Sequence, residues 1–356
     1  MKIGIIHGFV GGGGGTEPTL LALIEALKEH GHAIHLYTVS RPTIQLPKIK
    51  ITSVFPFRLP AFGLYQRFLE SELTKKARDD DLIIQVSGGI ALPQRKDQKI
   101  IIYCHHDFRN ETEKDVTKYK GMWSAYYRPY YLLSQKFVSR MGDENIILAA
   151  NSRFIRDSIK ERFGKDSVVI YPPVDTGMFK DGTAKEARIV TVSRYSQEKN
   201  LEFAMEAAGG IGMSYDIIGN TKTRINEVYY ENLEKLRRQK SLDNVNLLKN
   251  IERPRLIETL KVAKVYFHAS PETFGISVVE GIAAGCVPVV PDNSAHKETV
   301  PFDRLRYEPN NKQDAQEKLR KALSGEYDDM LGMLGETVSN YSKDSFKKAM
   351  VNLVEM

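Results

Sequence analysis

Short apolar runs rich in β-branched residues alternate with amphipathic helical stretches along almost the whole of the 356-residue chain. The apolar runs lie at 3–7, 33–38, 82–86, 100–104, 146–149, 168–171, 189–192, 215–218, 262–268 and 287–290. Between them, helical periodicity is clearest at 20–30, 154–163, 201–208 and 226–240. Runs this short and this apolar read as strands buried on both faces, and their alternation with helices predicts parallel sheets covered by helices. The length suits two such sheets in succession, an α/β chain of two domains. The segment 171–182, "YPPVDTGMFKDG", is rich in Pro, Gly and Asp and reads as the linker. It places a first domain at 1–171 and a second at 172–342, with a last helix at 343–356.

Composition excludes several classes. The apolar fraction of 42% and charged fraction of 27% are ordinary for a globular chain. No run of about 18 apolar residues occurs, so no transmembrane helix is expected. The opening "MKIGIIHGF" reads as a first strand rather than a signal peptide. Cys104 and Cys286 sit in apolar segments without metal-ligand spacing, consistent with buried thiols in a reducing, cytoplasmic compartment. A net charge of +6 is compatible with an anionic substrate, an anionic membrane surface or simply a solvated basic surface.

The chemistry concentrates in "PETFGISVVEGIAAGCVPVVP", residues 271–291. Gly275 permits a sharp turn, and a short buried helix is expected to run from Ile276 to near Gly285. Its open N-terminus, at Gly275, Ile276 and Ser277, suits a phosphate. Glu280 lies a turn further in, and Glu272 lies on the loop before the helix. An anion cradle between two carboxylates suits a sugar nucleotide: the diphosphate sits on the amides and each carboxylate accepts from sugar hydroxyls. Arg194 and Lys199 follow the strand at 189–192, where both can reach the carboxyl end of a parallel sheet. Arg binds phosphate bidentately and Lys acts as a point charge. Gly11 to Gly15, between the first strand and first helix, expose amides to an anion but have neither P-loop nor G-x-G-x-x-G spacing.

These segments, in this order, resemble the retaining glycosyltransferases of GT-B fold, in the large family that includes lipid-linked mannosyltransferases and sucrose and glycogen synthases. The resemblance is carried by "GGGGTEPTLLALIEALKEHGHAIHLYT", "YCHHD", "AANSRFIRDSI", "VIYPPVDTGMF", "IVTVSRYSQEKNLEFAMEA" and the E-x-x-F-G-x-x-x-x-x-E pattern at Glu272, Phe274, Gly275 and Glu280. It implies two Rossmann-like domains facing across a cleft, with the last helix returning to the first domain. It implies a nucleoside-diphosphate sugar donor, GDP- or UDP-linked, with no tightly bound cofactor and no metal triad. Arg194 and Lys199 would act on the diphosphate, Glu272 on the transferred sugar and Glu280 on the ribose. Phe274, Gly275, Ile276 and Ser277 complete the donor segment. His105 of "YCHHD" would face the cleft, and Gly14, Gly15 and Glu17 would match the family's Gly-Gly-x-Glu. At Glu298 the chain departs from the family, with Ala295-His296 in place of Gly-Gly.

The acceptor would be a glycan or a lipid-linked phosphate. The stretch "WSAYYRPYY" (123–131), with Lys114, Lys118, Lys120, Arg128 and Lys136 near it, mixes rings and cations. It suits peripheral contact with an anionic membrane, or a helix that packs some of its tyrosines. Nucleic acid is not an expected partner. A non-catalytic nucleotide-sugar-binding subunit and a transferase for a soluble acceptor are the alternative readings.

Overall fold

The computed structural model describes residues 1–11, 15–57, 69, 72–86, 92–108, 138–179 and 183–356. Gly14 and the aromatic, basic stretch 123–131 lie outside the described residues. The chain divides into two compact units, Met1–Pro173 with Lys343–Met356, and Val174–Ser342.

In the first unit seven described strands form one parallel sheet: β1 Lys2–Ile6, β2 Ala33–Ser40, β3 Lys50–Phe55, β4 Leu82–Gln85, β5 Lys99–Cys104, β6 Ile146–Ala150 and β7 Val168–Val169. Their order is β3-β2-β1-β4-β5-β6-β7. Side chains alternate between the two faces, and both faces are buried. Ile3, Ile5, Leu82, Ile84, Ile101 and Tyr103 enter one core, while Ile6, Ile83, Ile100, Ile102 and Cys104 enter the other. Helix α1, Thr16–Glu29, covers the first face beside the C-terminal helix Lys343–Glu355. That last helix inserts Phe346, Met350, Leu353 and Val354 into the core with Leu20, Leu23 and Leu27. Each such burial contributes about 1.5–3 kcal/mol gross. Lys347 adds ion pairs to Glu25 and Glu29. Helix α2, Arg153–Phe163, covers the other face. Ser152 caps it, accepting from the Ile155 amide at 3.1 Å.

The second unit repeats the plan, with helices α3 Leu201–Gly209, α4 Arg224–Gln239, α5 Arg253–Val262 and α6 Ile276–Ala283 between its strands. Strands β8 Glu186–Val192, β9 Ser214–Gly219, β10 Val245–Lys249, β11 Ala263–Phe267, β12 Val287–Pro291 and β13 Arg306–Tyr307 pair in parallel in the order β10-β9-β8-β11-β12-β13. In both sheets the first strand lies between the second and the fourth. Chain direction across the sheet reverses there, and the carboxyl ends of the first and fourth strands open a crevice suited to a ligand.

Candidate functional site at the switch point of the second sheet

The crevice of the second unit is flanked by the loop after β8 and the loop after β11. The first loop is pinned to its own sheet. The Ser193 amide donates to the Ile218 carbonyl at 2.9 Å, and the buried Tyr195 hydroxyl donates to the Ile217 carbonyl at 2.7 Å. Gly219 makes this approach possible, since a Cβ there would lie 2.2 Å from the Ser193 carbonyl oxygen. From this anchored loop Arg194 points outward, its side chain 60% exposed and paired with Glu198 at 3.2 Å. Lys199 instead turns inward, 15% exposed, and its Nζ lies 2.5 Å from Oε1 of Glu272.

Glu272 is held from several elements. Its backbone amide donates to Ser294 Oγ at 3.0 Å, and its carbonyl accepts from the Ala295 amide at 3.1 Å. His268, the residue just beyond β11, brings Nε2 to 2.9 Å from the same Oε1 that Lys199 binds. Ser270 Oγ lies 3.1 Å from that ring nitrogen. Buried His296 donates from Nε2 to the Ser270 carbonyl at 3.0 Å and packs edge-on against His268. Burial alone would push the Glu272 carboxyl up. The hydrogen bond from His268, together with the hydrogen bond and charge of Lys199, outweighs burial and holds it well below the usual carboxylate range. Glu272 is therefore ionised at neutral pH and acts purely as an acceptor.

Gly275 adopts φ +89° and starts helix α6, Ile276–Ala283. No side chain caps this helix, so its first-turn amides and positive dipole end are open. The helix sits hard on β11, because a Cβ at Gly281 would lie 2.5 Å from the Tyr266 ring. At its far end Lys185 donates to the Ala284 carbonyl at 2.6 Å and the Lys261 carbonyl at 2.8 Å, tying it to the end of helix α5, Arg253–Val262. Glu280, on the first turns, is 10% exposed and receives Arg253 Nη2 on Oε1 at 2.5 Å. Ile276 and Ser277 are half-buried at the helix start, while the Phe274 ring is buried edge-on against Tyr341. Glu298 lies on the short helix His296–Thr299, where its carbonyl accepts from the Tyr341 hydroxyl.

The structure thus brings Lys199 and Glu272 into contact and leaves Arg194 on the exposed rim of the same loop. Sequence reasoning missed His268, His296, Ser294 and Arg253. Only His268 carried a signal, as a histidine ending an apolar strand beside the acidic motif.

The first unit has a comparable group. His105 follows β5 and is half-buried, edge-on to the Tyr103 ring, with no hydrogen bond to its Nε2. His7, just beyond β1, is 3% exposed and neither ring nitrogen is hydrogen-bonded. Gly15 adjoins the start of α1, and Glu17 accepts from the Gly11 amide at 2.8 Å. Burial lowers the pKa of His7 to about 4 and of His105 to about 3, and in the second unit lowers that of His296 to about 3.

These three shifts predict acid sensitivity. In the folded protein the rings stay neutral down to those values, whereas unfolded histidines take up protons near pH 6.5. Between those limits the unfolded state binds more protons, so stability falls as pH drops below about 6.5. The expected loss is on the order of 2 kcal/mol per histidine by pH 5. Urea unfolding should show lower midpoints at pH 5 than at pH 7, and unchanged midpoints would contradict the burial of neutral rings.

Two parallel α/β units, with a Lys–Glu pair and an open helix N-terminus at a switch point, define a GT-B-type protein. Residues 13–177 match the family described as Glycosyltransferase Family 4, and residues 176–341 match Glycosyl transferases group 1. The chain thus carries a glycosyltransferase family 4 domain followed by a glycosyl transferases group 1 domain, on the GT-B plan. It is 26% identical over 220 residues to a Dictyostelium discoideum protein named GDP-Man:Man(3)GlcNAc(2)-PP-Dol alpha-1,2-mannosyltransferase, covering 55% of this chain and 43% of that one. Over 269 residues it is 26% identical to human alpha-1,3/1,6-mannosyltransferase ALG2, covering 67% of this chain and 61% of that one. The match therefore spans about half the length of these relatives. Sucrose-phosphate synthase from Thermosynechococcus elongatus shares the fold, with a TM-score of 0.78 at 17% identity over 100% of this chain and 98% of that one. Among the described residues no helix is long and apolar enough to cross a membrane.

Proposed function

We propose that the chain is a retaining glycosyltransferase that moves a hexose of the mannose or glucose type from a nucleoside-diphosphate sugar to a lipid-linked acceptor. The observation that carries this reading is the Lys199–Glu272 pair, 2.5 Å apart, beside the open N-terminus of helix α6. When the anomeric bond breaks, positive charge grows on the sugar and negative charge on the departing diphosphate. Lys199, Arg194 and the first-turn amides at Ile276 and Ser277 stabilise the diphosphate. Glu272, ionised and fixed, accepts from hydroxyls of the transferred sugar. Glu280 accepts from the ribose hydroxyls, and Arg253 then keeps its place on the outer side of that carboxylate. The leaving phosphate takes the acceptor's proton, and the new bond forms on the face the diphosphate leaves.

The printed names of the relatives motivate GDP-mannose as the first donor to try and a polyprenyl-linked glycan as the first acceptor. The aromatic, basic stretch 123–131 is the segment proposed to contact an anionic membrane on its cytoplasmic face. Thermal unfolding against a panel of GDP- and UDP-sugars is expected to show one donor raising the midpoint. Incubation of that donor with a polyprenyl-linked acceptor in anionic vesicles at low salt should give a product of retained anomeric configuration by NMR. Transfer to a water-soluble glycoside without any vesicle binding would replace the lipid reading. Donor binding without transfer or donor hydrolysis would replace catalysis by a binding role.

A further inference from the structure

Oε1 of Glu272 carries both protein donors, Lys199 Nζ at 2.5 Å and His268 Nε2 at 2.9 Å, and no described residue donates to Oε2. The two donors differ in what else they can do. Lys199 is a flexible cation beside an anion cradle, and a diphosphate bound there competes with Glu272 for its charge. His268 is 2% exposed, and its ring packs edge-on against His296 and parallel to the Tyr266 ring. The pair spans four residues across an irregular loop, so the helix register that usually brings such positions together plays no part. The contact exists because β11 ends at Phe267 and the Ser294–Ala295 loop pins the Glu272 backbone.

We infer that His268 is a positioning residue for Glu272: it keeps Oε1 occupied and the carboxylate oriented when Lys199 turns to the diphosphate, leaving Oε2 for a hexose hydroxyl. This rests on the functional reading above. It requires one tautomer. An ionised carboxylate only accepts, so Nε2 carries the proton and Nδ1 does not. The buried Nδ1, which has no hydrogen-bond partner, agrees with that, because an N–H there would be an orphaned buried donor. His268 touches no substrate in this scheme and acts only through Glu272.

Two measurements on the full chain test it. Nitrogen-15 NMR of histidine-labelled protein, with the His268 signal assigned by its loss in His268→Gln, is expected to show the Nε2–H tautomer. The Nδ1–H tautomer would overturn the inference whether or not any donor is known. Steady-state kinetics with the donor found above then compare three variants. His268→Leu and His268→Asn, whose groups do not reach the Nε2 position, are expected to lower kcat on the order of tenfold to a hundredfold, with donor KM nearly unchanged. His268→Gln places an amide N–H about where Nε2 stands and is expected to recover most of that loss. A His268→Leu enzyme with wild-type kcat would overturn the inference. So would a His268→Gln enzyme no faster than His268→Leu when both unfold at the wild-type temperature. A wild-type chain that turns over no sugar nucleotide would instead sink the functional reading, and the tautomer would still decide the hydrogen bond.

Discussion

Lys199→Ala is expected to lower turnover of the sugar nucleotide by about 10²–10³-fold, the loss seen when one preorganised donor to a developing negative charge is removed. The size of the effect follows from where Lys199 sits. Its ammonium is mostly buried and already ordered by Glu272 before any ligand arrives. It needs only to turn from Glu272 to the leaving diphosphate as charge builds there. Arg194 is different, since its side chain is 60% exposed and paired only with Glu198. It must be drawn in by the ligand, so Arg194→Ala is expected to cost turnover less than Lys199→Ala. Both variants should leave the affinity for free nucleoside nearly unchanged, because neither side chain is assigned to base or ribose. Rapid-quench kinetics at saturating donor, beside calorimetric titration of the nucleoside, separate these quantities. Wild-type turnover in Lys199→Ala would remove the Lys199–Glu272 pair from the chemistry.

Glu280→Ala is expected to weaken donor binding by about tenfold to a hundredfold, the equivalent of roughly 1.5–3 kcal/mol for hydrogen bonds to a charged group. The carboxylate is 10% exposed at the crevice end of helix α6 and receives Arg253 on Oε1. Arg253 is itself 45% exposed, so losing its partner strands no buried charge, and the fold should survive with a small change in unfolding temperature. Glu272→Ala should show the opposite balance: a large fall in kcat and a modest change in donor Kd, since its partner is the transferred sugar. Calorimetric titration of donor into each variant distinguishes the two roles. If Arg253→Ala weakens donor binding as much as Glu280→Ala does, the ion pair rather than the carboxylate is the binding element.

Nine of the ten apolar runs were legible as strands because each is rich in Ile, Val, Leu and Tyr, as strands with a neighbour on both sides and helices on both faces must be, while the tenth, β7, is a short edge strand read from its Val-Val-Ile-Tyr run. Three strands were not legible: "KITSVF" at Lys50–Phe55, "VNLLK" at Val245–Lys249 and "RY" at Arg306–Tyr307. All three are outermost in their sheets. An edge strand has only one neighbour to satisfy and tolerates polar residues, so its apolar signal is broken. The helix start at Gly275 was legible because a positive φ there needs glycine and the apolar run that follows has helical spacing.

The nature of the site was equally local. Two carboxylates around a Phe-Gly turn, and two cations after a strand, are residue types in fixed sequence relation, and chain geometry alone puts each at a strand's carboxyl end. Their partners were a different matter. Lys199 and Glu272 lie 73 residues apart, Glu280 and Arg253 lie 27 apart, and Ser294 reaches Glu272 across 22. His268 read as the end of an apolar strand, and Arg253 drew no reading from the sequence. The sequence by itself determined two parallel sheets and the kinds of groups at their carboxyl ends, because strand burial and turn chemistry are properties of neighbours along the chain. Only the tertiary structure decided which cation neutralises which carboxylate and which oxygen of Glu272 stays open. Those choices depend on packing between segments distant in sequence, where burial makes an unpaired charge too costly to leave alone.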